Sequence, residues 1–251
     1  MKKLYLFGNH KMNLTRSELE DYFKDLKKVA DKTSNVVGVA VSSPYLYLAE
    51  KYLKKSNVRY GAQNCHYKQK GAYTGENSVS MIKEFGSKIC LVGHSERRQK
   101  YNETNEKVNL KIKTLLKENM TPILCFGETL DERDNGLTKK VIKTQLEEAL
   151  IDISRDEVKK VIFAYEPVWA IGTGETATSK QVEDTARFIK QHLVKMFEVT
   201  EGELVLLYGG SLKPENAVEI LSKTHIDGGL IGGACLNMDS FGKLINLKIE
   251  D

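Results

Sequence analysis

Four side chains able to move a proton or steady charge stand just beyond three short apolar runs. Glu166 follows residues 161–165 (VIFAY), His94 follows 89–92 (ICLV), and Asn9 and Lys11 follow 4–7 (LYLF). A carboxylate can take a carbon-bound proton, an imidazole can act as acid or electrophile, and an ammonium fixes charge where an oxyanion develops. Each also has a plain structural reading: an acid capping a strand end, a hydrogen-bonded wall histidine, a solvated lysine beside a turn. Two glycine pairs, Gly209-Gly210 with Ser211 and Gly232-Gly233, follow further apolar runs. Their backbone N–H groups lack side-chain obstruction and suit a phosphate, or they are simply tight turns. The sequence offers no Ser-His-Asp arrangement, Walker-type loop or metal-ligand spacing, and Cys65 beside His66 is not such a spacing. What survives is base-driven proton chemistry beside a phosphate, with neither metal nor organic cofactor expected.

The stretch after Glu166 reads PVWAIGTG. Pro167 supplies no N–H and holds Glu166 extended, so the strand exits sharply there. Val168, Trp169, Ala170 and Ile171 are too apolar for an idle surface loop, while Gly172 and Gly174 accept large backbone changes. A lid over Glu166 is expected, its loss exposing a reactive intermediate to water.

The same unit recurs along the chain: an apolar run, a polar or glycine-rich exit, then an amphipathic helical stretch. Runs at 36–41, 58–63, 122–126, 204–207 and 228–231 join the three above, giving eight. Helix starts are marked by Thr15 with Glu18, Thr178 with Gln181, Pro44 and Pro214. Continuous apolar runs, rather than alternating ones, indicate a parallel sheet covered by helices. Eight units predict a closed (β/α)8 barrel, which leaves no open edge; a doubly wound open sheet is the alternative. Right-handed crossovers gather every exit at one end, so Asn9, Lys11, His94, Glu96, Glu166, Ser211, Gly232 and Gly233 should converge. In such barrels phosphate sites often lie after the last two strands, which favours the phosphate reading of the glycine pairs. The third exit, 64–76, is a long loop without helical period, and loops of that length usually have a job.

At 251 residues, 41% hydrophobic and 29% charged, the chain can bury a core without disulfides or metal, and one α/β domain spanning 1–251 is expected. Its net charge of +4 comes from 38 bases and 34 acids spread along the sequence, so nucleic acid is not implied. The first apolar run is too short for a signal peptide, and no stretch approaches a membrane span. Four cysteines far apart, Cys65, Cys90, Cys125 and Cys235, suit a reduced, cytoplasmic setting.

Jointly these residues resemble the triosephosphate isomerase family from end to end. Asn9, Lys11 and Met12 match its first-strand motif, GHSERR at 93–98 its fourth, AYEPVWAIGTG at 164–174 its sixth, YGGS at 208–211 its seventh, and 227–236 its eighth. The resemblance implies a TIM barrel that interconverts dihydroxyacetone phosphate and glyceraldehyde 3-phosphate through an enediolate. By the same resemblance Glu166 is the base, His94 the electrophile, and Asn9 and Lys11 steady the enediolate. Ser95 and Glu96 line the mouth, Glu96 counting among the catalytic set, and the backbone of Gly172, Ser211, Gly232 and Gly233 binds the phosphate. It implies a homodimer too, in which residues 71–76 (GAYTGE) enter the partner near Met12. Four positions depart from the family pattern: His10 where tryptophan is usual, Cys235 for serine, Gly229 for a larger residue, and Tyr73 for phenylalanine. None belongs to the reacting set. Two other readings compete. A phosphate-binding barrel without turnover would have lost Glu166, His94 or Lys11, and an aldolase would need a Schiff-base lysine within a strand.

Overall fold

The computed structural model describes residues 1–171 and 176–250. All eight apolar runs are strands: β1 (Tyr5–Asn9), β2 (Val36–Val41), β3 (Arg59–Ala62), β4 (Ile89–Val92), β5 (Thr121–Phe126), β6 (Ile162–Tyr165), β7 (Val205–Tyr208) and β8 (Gly228–Ile231). Each pairs in parallel with the next, and β8 returns to β1, with Tyr5 opposite Gly228 and Gly8 opposite Ile231. The barrel is closed, and the open-sheet alternative falls. Beneath it the two ends of the chain meet, the Lys2 N–H donating to the Ile249 carbonyl at 2.9 Å.

The strands read as apolar throughout because both faces are buried. Inside the barrel, Phe7, Ile89, Leu91, Ile123, Ala164 and Leu207 belong to one packed cluster. Outside it, Leu6, Val92, Leu124 and Leu206 pack against helix residues such as Phe23, Ile112, Leu146 and Leu193. Each fully buried side chain of this size is worth about 1.5–3 kcal/mol.

This alternation also aims the functional side chains. Two residues beyond the inward Phe7 come Asn9 and then Lys11; two beyond Ala164 comes Glu166; two beyond Leu230 comes Gly232. In β4 the inward residues Ile89 and Leu91 would be followed by residue 93. There Gly93 takes φ +71°, a left-handed turn that shifts the alternation by one and brings His94 to the mouth.

The helices are α1 (Arg16–Ala30), α2 (Leu46–Leu53), α3 (Val79–Glu84), α4 (Ser95–Tyr101), α5 (Asn105–Lys117), α6 (Leu130–Asp134), α7 (Thr138–Ala149), α8 (Arg155–Val158), α9 (Ser179–Phe197), α10 (Pro214–Leu221) and α11 (Met238–Ile245). α1 starts where expected, Thr15 donating its N–H and hydroxyl to the Glu18 carboxylate at 2.7 and 2.6 Å, and buries Leu19, Tyr22, Phe23 and Leu26 at helical spacing. Pro44 opens a short 3-10 turn, Ser43–Tyr45, and α2 begins just after it. Two differences from the sequence reading matter. The polar exit 93–98 (GHSERR) already enters a helix, α4, at Ser95, and the fifth exit holds the short α6 before α7.

Candidate active site

At the C-terminal ends of the strands a cavity of about 310 Å³ is lined by Asn9, Lys11, His94, Glu166, Ser211, Gly232 and Gly233. These are most of the residues expected to converge. Glu96 stands beside it, lining a neighbouring groove. Gly172, expected to offer an N–H to phosphate, lies outside the described residues, as do Thr173 and Gly174.

Glu166 is 1% exposed. Its Oε2 accepts the Ser95 N–H at 3.0 Å, and its Oε1 lies 3.1 Å from His94 Nε2. His94 is the N-cap of α4, and its Nδ1 accepts the Glu96 N–H at 3.2 Å. An imidazole accepting at Nδ1 carries its hydrogen on Nε2, so the ring is an uncharged donor aimed at the carboxylate. Below them, burial first and then the adjacent Glu166 carboxylate push the Cys125 thiol well above its ordinary pKa. Close packing continues on the other side: a Cβ on Gly209 would stand 2.8 Å from Glu166 Cγ.

Lys11 adopts φ +52°, a costly backbone for a residue with a Cβ. Its surroundings hold it there. Its N–H donates to Asn9 Oδ1 at 3.0 Å, while its carbonyl accepts from Ser42 Oγ at 3.0 Å and Gln63 Nε2 at 2.8 Å. The ammonium bonds Glu96 Oε1 at 2.7 Å, which with Lys11 itself holds the Glu96 carboxyl below its ordinary range despite partial burial. Across the cavity a Cβ on Gly232 would lie 3.6 Å from Lys11 Cε, so the glycine turn after β8 faces the lysine. The Ser211 N–H, expected to hold phosphate, donates here to the Ala170 carbonyl at 3.0 Å. One hydrogen cannot serve both partners, so phosphate at Ser211 requires Ala170 to withdraw.

Sequence reasoning missed Glu128. It is fully buried, and its carboxylate accepts from the Tyr165 hydroxyl at 3.1 Å, Trp169 Nε1 at 3.0 Å and Arg133 Nη1 at 3.2 Å. Its carbonyl also accepts the Val168 N–H at 3.0 Å. The Arg133 guanidinium lies 4.5 Å from the Trp169 ring. Glu128 therefore ties the start of the expected lid to the barrel. Its one sequence signal was an acid at an otherwise glycine-marked exit.

Among the departures, His10 is buried, neither ring nitrogen finds a hydrogen-bond partner among the described residues, and its ring is edge-on to Tyr22 at 4.8 Å. Burial lowers its pKa to about 4. Gly229 leaves no hollow, since Leu212 Cδ2 reaches within 2.5 Å of where a Cβ would stand. Beside Lys11, the groove holding Glu96 has a volume of about 1000 Å³ and is flanked by the exposed Met12, Tyr47 and Tyr101. Residues 71–76 are exposed, and the Tyr73 ring lies tilted against His66 with centroids 4.3 Å apart. Among the described residues no group of three or more His, Cys, Asp or Glu side chains is placed to hold a metal ion.

The triosephosphate isomerase family model matches residues 4–248. The chain is 44% identical over 246 residues to the triosephosphate isomerase of Endomicrobium trichonymphae, covering 98% of each. It is 42% identical over 248 residues to that of Fusobacterium nucleatum, again covering 98% of each. The crystal structure of the Bartonella henselae enzyme is similar in fold, with a TM-score of 0.88 and 34% identity over 96% of this chain and 97% of that one.

Proposed function

The chain belongs to the triosephosphate isomerase family, and from that membership we propose how its residues divide the work. It is an isomerase that interconverts dihydroxyacetone phosphate and glyceraldehyde 3-phosphate, a step of glycolysis and gluconeogenesis. Glu166 removes a proton from C1 of dihydroxyacetone phosphate and returns it to C2. His94, through Nε2–H, stabilises charge on the substrate oxygens as the enediolate forms, helped by the Lys11 ammonium and by Asn9. Glu96 steers the Lys11 ammonium. The N–H groups of Gly172, Ser211, Gly232 and Gly233 hold the phosphate. This family is itself the reference case for a glutamate base beside a neutral histidine, so the role assignment is inherited, not independent.

The observation that carries the reading is the 3.1 Å approach of His94 Nε2 to Glu166 Oε1, with Lys11 lining the same cavity. In this arrangement both carboxylate oxygens are occupied, one by Ser95 and one by His94. Substrate oxygens take over the histidine hydrogen bond, and the released Oε1 turns to the carbon-bound proton. Withdrawal of Ala170 frees the Ser211 N–H for phosphate, coupling lid position to substrate binding.

The working form is a homodimer of single (β/α)8 domains, each spanning 1–251, in the cytoplasm. Exposed Met12, Tyr47, Tyr73, Met81 and Tyr101, and the groove beside Met12, support burial against a second copy. Four free, buried cysteines suit a reducing compartment. No described helix is long and apolar enough to cross a membrane. Interconversion of the two triose phosphates by purified protein, with a chelator present, tests the assignment. A folded protein without turnover would return it to a phosphate-binding barrel.

A further inference from the structure

Behind Glu166, on the side away from the active-site cavity, lies a second cavity of about 100 Å³. Among the described residues, Glu166 is the only one that lines both. The inner end of the rear cavity is formed by buried residues, Glu166, Ser95 and Gly127; its outer end is the exposed Gln99, with Arg98 and Thr129 half-buried between. It therefore runs from Glu166, whose Oε2 is held by Ser95 of the same wall, to the exposed Gln99. Each molecule of liquid water takes about 30 Å³, so the volume is that of about three, and although much of the wall is apolar, Arg98, Gln99, Thr129 and Gln145 with Glu166 offer them hydrogen-bond partners.

The two cavities differ in what covers them. Ile171, at the end of the described lid, lines the front cavity, whereas Val168 is the only described lid residue in the rear wall. We propose that the rear cavity is a solvent port, through which the protonated Glu166 carboxyl exchanges its hydrogen with water while substrate stays enclosed. In D2O the step is balanced without redox change: the carboxyl O–H breaks, an O–D forms, and HOD leaves. The proposal rests on Glu166 being the base.

The test separates the two. Dihydroxyacetone phosphate is converted in D2O with an excess of a dehydrogenase that traps glyceraldehyde 3-phosphate, and the protium remaining at C2 of the trapped product is measured by mass spectrometry. Gln99→Phe plugs the mouth of the port and Gln99→Ala widens it. Narrowing should raise the protium retained at C2 by about threefold or more and widening should lower it, with kcat and KM staying within about twofold because the substrate cavity is untouched. Equal protium in wild type and Gln99→Ala would overturn the port and send exchange through the substrate side. Normal turnover by Glu166→Gln would instead overturn the base assignment, whatever the Gln99 variants do.

Discussion

Ser95 and Glu166 stand 71 positions apart in the chain, yet the Ser95 backbone N–H donates to Glu166 Oε2 at 3.0 Å. The first residue of α4 thus grips the carboxylate at the end of β6, and the residue before it, His94, faces the other oxygen. Glu166→Gln keeps an acceptor oxygen for one of the two donors, sets an amide NH2 against the other, and loses the basicity needed to take a carbon-bound proton. Turnover should fall by about 10³- to 10⁴-fold with KM changed little. A steady-state coupled assay checks this, and a variant near the wild-type rate would remove Glu166 from the base role.

Glu128→Ala strips the acceptor from two buried donors, Tyr165 and Trp169, and from Arg133. Breaking a buried network of this kind costs about 3–5 kcal/mol, and Glu128→Gln, which retains one oxygen, should cost less. Urea unfolding of both variants measures the difference. Equal stability to wild type would mean that the network contributes no net stability.

His10 gives the protein an acid weakness. Its pKa is lowered by burial from 6.5 to about 4. Between those values the unfolded chain binds a proton that the folded chain refuses, so stability falls as pH drops from 6.5 toward 4. His10→Phe removes this dependence within an aromatic neighbourhood of Tyr22 and Phe23. Its stability relative to wild type should improve by about 2 kcal/mol between pH 7 and pH 5. Urea titrations at the two pH values check this, and an unchanged gap would show that the histidine gains a proton partner when acidified.

Thr74 sits within the exposed segment 71–76. In the proposed homodimer an arginine there would carry an unpaired charge into the interface, costing about 4 kcal/mol and weakening dimerisation by about 10³-fold. Thr74→Arg should sediment as a monomer at micromolar concentration and lose activity. A fully active wild-type monomer would refute the need for assembly.

Much of this was legible from sequence because strand burial and strand exits leave strong marks. The eight apolar runs became the eight strands, and Asn9, Lys11, His94, Glu166 and Ser211 reached one cavity. The helix α4 was not legible, since SERRQKY lacks an apolar stripe: only Ser95 in it is buried. It is fixed by the bonds of its ends and side chains, among them Arg98 Nε to the Gly93 carbonyl at 2.7 Å. The support under Glu166 was hidden for a similar reason. Gln145 clamps Gly127 from both sides, accepting its N–H at 2.9 Å and donating to its carbonyl at 3.1 Å, and no local pattern marks a glutamine that bonds across 18 positions. Long-range polar pairing is invisible to periodicity, whereas apolar burial is not.

Closure of β1 on β8 has a consequence for how the molecule is made. Within the barrel β1 is synthesised before the other strands and β8 after them, so the edge of β1 that meets Gly228, Gly229 and Leu230 waits for the seven strands that follow before it finds its partner. Until then the nascent polypeptide carries a bare row of backbone donors and acceptors, the surface on which strands of other molecules pair. Sealing the barrel is thus a late event, and delay in translating the last quarter of the chain lengthens the time during which the product is prone to aggregate.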